Sequence, residues 1–190
     1  MKPLQVIGIV SGVLAALAYL PYLRDILRGD AKPERASWFI WVVLAGIAFF
    51  TQMASGATSS LWFTGLDSAG ALVVFVLALK YGSGGLTRRD QLGLLAAGVG
   101  LLLWYLTRHA TIALFMTIIV DASGTVLTVL KTYEHPKTET YTMWLVVTIA
   151  GALAMFSVGS WNLSLLAYPF YIFLANLAVV LAKFVGSRKR

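Results

Sequence analysis

The sequence contains no cysteine, which excludes disulfides, thiolate nucleophiles and cysteine-held metals and leaves the redox compartment unreadable. Charge is scarce as well. Only 12% of the residues are Asp, Glu, Lys or Arg, against about a quarter in soluble domains. Histidine is limited to His109 and His135, far apart near expected helix ends and a poor metal set, so no metal or cofactor is expected. A Ser–His pair at membrane depth, a metal cluster and a phosphate-binding motif are all missing from the sequence, so an enzyme is not expected. A basic start followed by a short apolar core and a small-residue cleavage site is missing too. The first apolar stretch is too long for a secretory leader and is expected to persist as a helix.

What fills the chain instead is apolar: 59% of its 190 residues are hydrophobic and the mean hydropathy is +0.81. A helix needs about 20 apolar residues to cross a bilayer. Seven such stretches are expected, at roughly 4–27, 37–56, 60–81, 90–107, 111–132, 140–159 and 162–185. The sequence therefore predicts an all-α integral membrane protein. Tight turns are expected at Gly56-Ala57-Thr58-Ser59 and Gly159-Ser160-Trp161-Asn162, and Tyr81-Gly82-Ser83-Gly84-Gly85 reads as the most flexible connection.

A shift of 103 residues maps Pro33 on Pro136, Trp41 on Trp144, Gly56 on Gly159, Lys80 on Lys183 and Pro21 on Gly124. This reads as a three-helix unit occurring twice with a spare helix between, a 3+1+3 layout. The divisions are 1–82 for the first repeat, 83–109 for the linker with the inverting fourth helix, and 110–190 for the second repeat with its basic tail. A three-helix unit crosses the membrane an odd number of times, so the spare helix restores direction and makes the repeats parallel. Leu92, Leu94, Leu95, Leu101, Leu102, Leu103 and Trp104 leave that helix almost without a polar face, which suits lipid contact.

With seven spans, only Lys2 and Arg108 of the 15 Lys and Arg fall on one side. Basic residues mark the cytoplasmic side. The expectation is a plasma (inner) membrane protein with its N-terminus outside and its C-terminus cytoplasmic. The net charge of +7 is then orientation, not nucleic-acid binding. The basic Ser187-Arg188-Lys189-Arg190 end could meet anionic lipid, at about 1 kcal/mol per basic residue, although orientation explains it equally well.

The run Leu20-Pro21-Tyr22-Leu23-Arg24, a basic loop and then Ser37-Trp38-Phe39 resembles the SWEET sugar transporters and the wider PQ-loop superfamily. In that family the first helix ends in a Pro-Gln pair. Here Tyr22 replaces the Gln, and Gly124-Thr125 replaces the pair in the second copy. The resemblance implies the 3+1+3 arrangement, an outside N-terminus and alternating access between two repeats. In sugar-carrying relatives an Asn on the third helix of each repeat lines the site. Asn176 matches that pattern, whereas its counterpart Val73 cannot hydrogen-bond a solute. A nicotinamide-riboside-type vitamin carrier shares the same layout.

Two acids fall within the expected spans. Asp121 lies near the middle of the fifth, about 11 residues or roughly 16 Å from its outer end, and Asp67 lies in the outer half of the third. A charged acid facing lipid costs about 2.5–3.5 kcal/mol even on insertion scales, so such residues face protein or water and mark solute, ion or proton routes. Thr117, Asp121, Thr125 and Thr128 share one helical face, which reads as a cavity wall. Tyr19, Tyr168 and Tyr171 lie deep enough to bind a solute. Trp38, Trp41, Trp104, Trp144 and Trp161 read as interfacial anchors. Asp30, Glu34, Glu134 and Glu139 are assigned to cytoplasmic loops. Pro21 and Gly124 are hinge candidates, and for Gly124 tight packing is an equal reading.

The expected function is transport of a small polar solute (a sugar, a nucleoside-like molecule or a cation), with the internal acids pointing to proton or cation dependence. The binding residues would be Asp121, Asp67, Asn176, Tyr171, Tyr168, Thr125 and Tyr19. The alternative is a seven-helix receptor or assembly protein that binds a ligand or partner without transport. The partners expected are the solute and the lipid bilayer, and the layout is compatible with a homo-oligomer.

Overall fold

The computed structural model describes residues 3–54, 59–85, 87–107, 110–157 and 163–189. Among them the regular elements are seven α-helices and one short 3-10 turn: α1 (Pro3–Arg28), α2 (Arg35–Ala54), α3 (Ser59–Tyr81), α4 (Arg88–Thr107), α5 (Ala110–Glu134), the turn Pro136–Thr138, α6 (Tyr141–Ser157) and α7 (Leu163–Arg188). The seven expected apolar stretches coincide with the seven helices to within a few residues. Among the described residues, three segments are long and apolar enough to cross a membrane: Val6–Arg28, Phe115–Glu134 and Phe170–Arg188. The two tight turns expected from glycine lie outside the described residues.

Local chemistry sets the helix ends. Gly29 ends α1 in a left-handed conformation, φ +83°, which costs glycine no Cβ clash. Its N–H donates to Ile26 O, and the Asp30 N–H donates to Asp25 O. This paired pattern closes the last orphan carbonyls of the helix. At the start of α4, Thr87 and Asp90 bond reciprocally: the Asp90 N–H donates to Thr87 Oγ1 and the Thr87 N–H to Asp90 Oδ2. This is a capping box, with Asp standing where Glu is commoner.

The contacts group into two compact units. One unit contains 1–31 and 129–190, and the other contains 32–128. In the first, α1 packs along α6, and α6 along α7. In the second, α2 packs along α3 and touches α4, and the part of α5 up to Thr128 belongs to it. α1 is thus grouped with α6 and α7, and α5 up to Thr128 with α2, α3 and α4.

In the first unit, α1 buries Ser11, Ala18, Tyr22 and Ile26, a single stripe at helical spacing. Its opposite stripe of Ile9, Val13, Leu17 and Leu20 is exposed yet equally apolar. Gly151 lets α6 approach α7 closely: a Cβ there would lie 3.1 Å from the Phe173 backbone. In the second unit, Ile40, Ala97 and Val120 form a core with Trp41, Leu44, Leu94 and Leu101 packed on it.

The segment expected to be most flexible is tied down. Ser83 N–H donates to Pro33 O, Arg35 N–H donates to Ser83 O, and the Arg35 guanidinium donates to Ala78 O and Gly84 O. Glycine content signals a turn here, and the turn is then fixed by bonds to residues 33–35.

Candidate functional site

Each unit carries a buried polar clasp where its basic helix ends meet. In the first unit the centre is Glu139, whose side chain has no exposure. It forms a buried ion pair with Lys131 at the end of α5. It also accepts from Trp144 Nε1 at 2.7 Å and from the Tyr22 hydroxyl at 3.3 Å. Tyr22 meets Trp144 edge-on, with ring centroids 6.3 Å apart. Next to this cluster the Thr140 hydroxyl donates to Asp25 Oδ2 at 2.8 Å. Lys183 donates to the carbonyls of Pro136 and Glu139, anchoring the 3-10 turn to α7. One carboxylate therefore joins α1, α5 and α6.

In the second unit the centre is Glu34, also buried. It accepts from the N–H groups of Ala36 and Ser37 at 3.2 and 2.6 Å, satisfying first-turn donors of α2 that would otherwise be orphaned. The Ser37 hydroxyl lies 2.7 Å from Glu34 Oε2 and 2.6 Å from Gly124 O, and it accepts from Thr128 Oγ1 at 2.9 Å. One serine thus links the cap of α2 to α5.

One pair of positions in each clasp is related by the 103-residue shift. The 103-residue shift maps Asp25 on Thr128 and Ser37 on Thr140. Asp25–Thr140 and Thr128–Ser37 are therefore the same pair of positions, one bonded in each unit. The first joins α1 to the start of α6, and the second joins α5 to α2.

Asp121 is 9% exposed and accepts from the Thr125 hydroxyl at 3.3 Å, one turn along α5. It lies seven residues, or about 10 Å, along the helix from Thr128. Thr117 and Thr125 are half-buried and Thr128 is fully buried, so the stripe seen in the sequence faces protein for at least part of its length. Gly124 is explained by packing. A Cβ there would lie 3.1 Å from Trp41 Nε1 and 3.4 Å from the Ser37 backbone, so the glycine is needed for close approach whether or not the helix bends there.

The remaining expected residues are spread over both units. Asp121, Thr125 and Gly124 are in the second; Tyr19, Pro21, Tyr171 and Asn176 are in the first. Asp121 and Thr125, two members of the expected binding set, are joined by a hydrogen bond. Asn176 is nearly buried, and its amide donates to Ile172 O one turn earlier on α7, as short polar side chains often do within helices. Tyr19 and Tyr171 are half-buried. Asp67 and Tyr168 lie on α3 and α7, and their side chains lie outside the described residues.

The sequence reading missed the clasps. Glu34 and Glu139 lie in connecting segments, as expected, and are among the most buried acids of the described residues. Trp38 and Trp144, expected as interfacial anchors, are buried at 2% and 5% exposure. Two signals were available: a Glu three residues before Ser37 at a helix start, and a Tyr hydroxyl where the resembled motif has an amide. Comparison with protein-family models, characterised proteins and solved structures finds no match for this chain.

Proposed function

We propose that the chain is an integral membrane carrier for a small polar solute, working by alternating access between its two repeats and dependent on a proton or another cation. In this reading it has seven spans in the plasma (inner) membrane, with the N-terminus outside and the C-terminus in the cytoplasm. Support for membrane insertion comes from the three long apolar segments and from apolar side chains on outward faces. Leu92, Leu95, Leu102 and Leu106 of α4 are each more than half exposed, surface that water would penalise and lipid would not. The basic ends gathered at each clasp agree with one cytoplasmic side.

Asp121 is the single observation that carries transport: a buried acid on a polar stripe in a helix otherwise apolar enough to span a bilayer. Acids held at that depth are retained for function because they are costly. The test is uptake of a panel of solutes by liposomes containing the purified protein, across a pH series. Asp121→Asn is expected to abolish uptake or remove its pH response while the protein stays folded. Uptake by Asp121→Asn that matches wild type at every pH would end the assignment.

A further inference from the structure

We propose that the basic ends of α5 and α7 form a docking surface for an anionic phospholipid, with its phosphate against Arg188 and Lys189 and its acyl chains along the apolar faces that lead to them. The inference rests on the membrane reading above and does not depend on what the chain carries. All the residues concerned lie within the first unit.

Two outward faces run into this surface. On α7, Leu181, Phe184, Val185 and Arg188 follow one another at helical spacing, and all four are exposed. On α5, Leu130 and Tyr133 are exposed one turn apart. The two helix ends are held together. Gly186 is buried, and a Cβ there would lie 2.5 Å from Tyr133 O, so the backbones meet with no room for a side chain. The Arg188 guanidinium lies over the Phe184 ring, 4.1 Å from its centre. The Lys189 ammonium donates to the Tyr133 hydroxyl and lies 4.7 Å from the centre of that ring. Each apolar face therefore ends in an aromatic ring that carries an exposed cation. The 3-10 turn between α5 and α6 is tied to α7 by Lys183. Among the described residues of this turn and the two helix ends, the exposed Lys137, Arg188 and Lys189 stand against one exposed acid, Glu134.

Orientation in the membrane accounts for basic residues on one side. It does not account for cations seated on aromatic rings where apolar, outward strips end. A ring under a long basic side chain holds it in place by attraction to the cation and leaves its outer N–H donors for a phosphate. Arginine offers such a phosphate paired donors in a fixed plane, and lysine adds a point charge. A phospholipid satisfies both parts of the surface: its chains cover the apolar strips and its phosphate reaches the cations. A free phosphate satisfies only the second. A zwitterionic headgroup is disfavoured, because its own ammonium meets like charges.

The test uses the purified chain in neutral detergent. The probes are phosphatidylglycerol, phosphatidylcholine with the same acyl chains, and inorganic phosphate. Binding is read as thermal stabilisation with increasing probe. Phosphatidylglycerol is expected to stabilise at lower amounts than phosphatidylcholine, and inorganic phosphate to have no effect. Arg188→Gln and Lys189→Gln should each weaken the phosphatidylglycerol response about fivefold, and together about 25-fold. Phe184→Leu keeps the apolar face but removes the ring, and should weaken it about twofold to fivefold. Lys80→Gln removes an exposed charge in the second unit and should leave the response unchanged. A loss in Lys80→Gln equal to that in Arg188→Gln would make the response one of net charge and overturn the surface. Equal responses to the two lipids would also overturn it, and incorporation into liposomes would then leave the membrane reading standing. Stabilisation by inorganic phosphate matching that by phosphatidylglycerol would overturn the lipid as occupant in favour of a free anion. Failure to incorporate into liposomes of any composition would end the membrane reading and the docking surface with it.

Discussion

The pair Asp25–Thr140 and the pair Thr128–Ser37 are related by a shift of 103 residues, yet the surroundings use different chemistry. The first unit surrounds its pair with full charges: Lys131 against Glu139, with Tyr22 and Trp144 completing the carboxylate. The second unit surrounds its pair with hydroxyls and backbone, and its carboxylate, Glu34, serves as the cap of α2. The same helix-to-helix contact can therefore be closed by an ion pair or by a serine relay. The charged version gains little net stability over an apolar replacement, because desolvation offsets the attraction. It is nonetheless sensitive to the loss of either partner.

The largest expected effect follows from that sensitivity. Glu139→Gln strands the Lys131 ammonium and should cost about 3–5 kcal/mol in denaturant unfolding of the purified protein. The double variant Lys131→Met/Glu139→Leu should recover most of the loss. A double variant no more stable than Glu139→Gln would show that the cost lies in the Tyr22 and Trp144 bonds instead.

Exchanging the chemistry between units should be asymmetric. Thr128→Asp copies the first unit into the second but sets a carboxylate beside Ser37, which already touches Glu34. Two charges about 5 Å apart at an effective dielectric near 20 repel by about 3 kcal/mol. The reverse change, Asp25→Thr, leaves Thr140 with a hydroxyl partner and should cost about 1 kcal/mol. Equal shifts in melting temperature for the two variants would break the comparison.

Gly124→Ala tests the close approach found in the second unit. Its methyl would press on Trp41 and the Ser37 backbone, so overpacking should cost about 1–3 kcal/mol. Pro21, the repeat counterpart, is half-buried, and Pro21→Ala should be neutral or stabilising because it restores a helix N–H donor. The smallest effect is expected at Thr87→Ala, which removes one side of the α4 capping box and should cost about 1 kcal/mol. Its unfolding curve gives a baseline for a local bond that belongs to neither clasp.

Much of the helical layout was legible because it follows from short-range chemistry. Apolar runs bounded by basic or glycine-rich segments marked seven helices. Asp121 stood out because an acid in an apolar run has few explanations. The clasps did not stand out, because a loop Glu is ordinarily solvated and nothing local distinguishes Glu139 from Glu134. The first is buried and the second exposed. Flexibility was misjudged at 81–85 for the same reason: glycine content reports what the backbone can do, not which partners hold it.

The sequence by itself determined the helices, their apolar character and the gathering of cations at alternate helix ends. Each of these depends on residues within a turn or two of one another. Only the tertiary structure decided that α1 groups with α6 and α7, that α5 up to Thr128 groups with α2, α3 and α4, and that the loop residues Glu34 and Glu139 are buried centres. Those outcomes depend on which distant donors reach a given carboxylate once the helices pack, and no local pattern of residues encodes that choice.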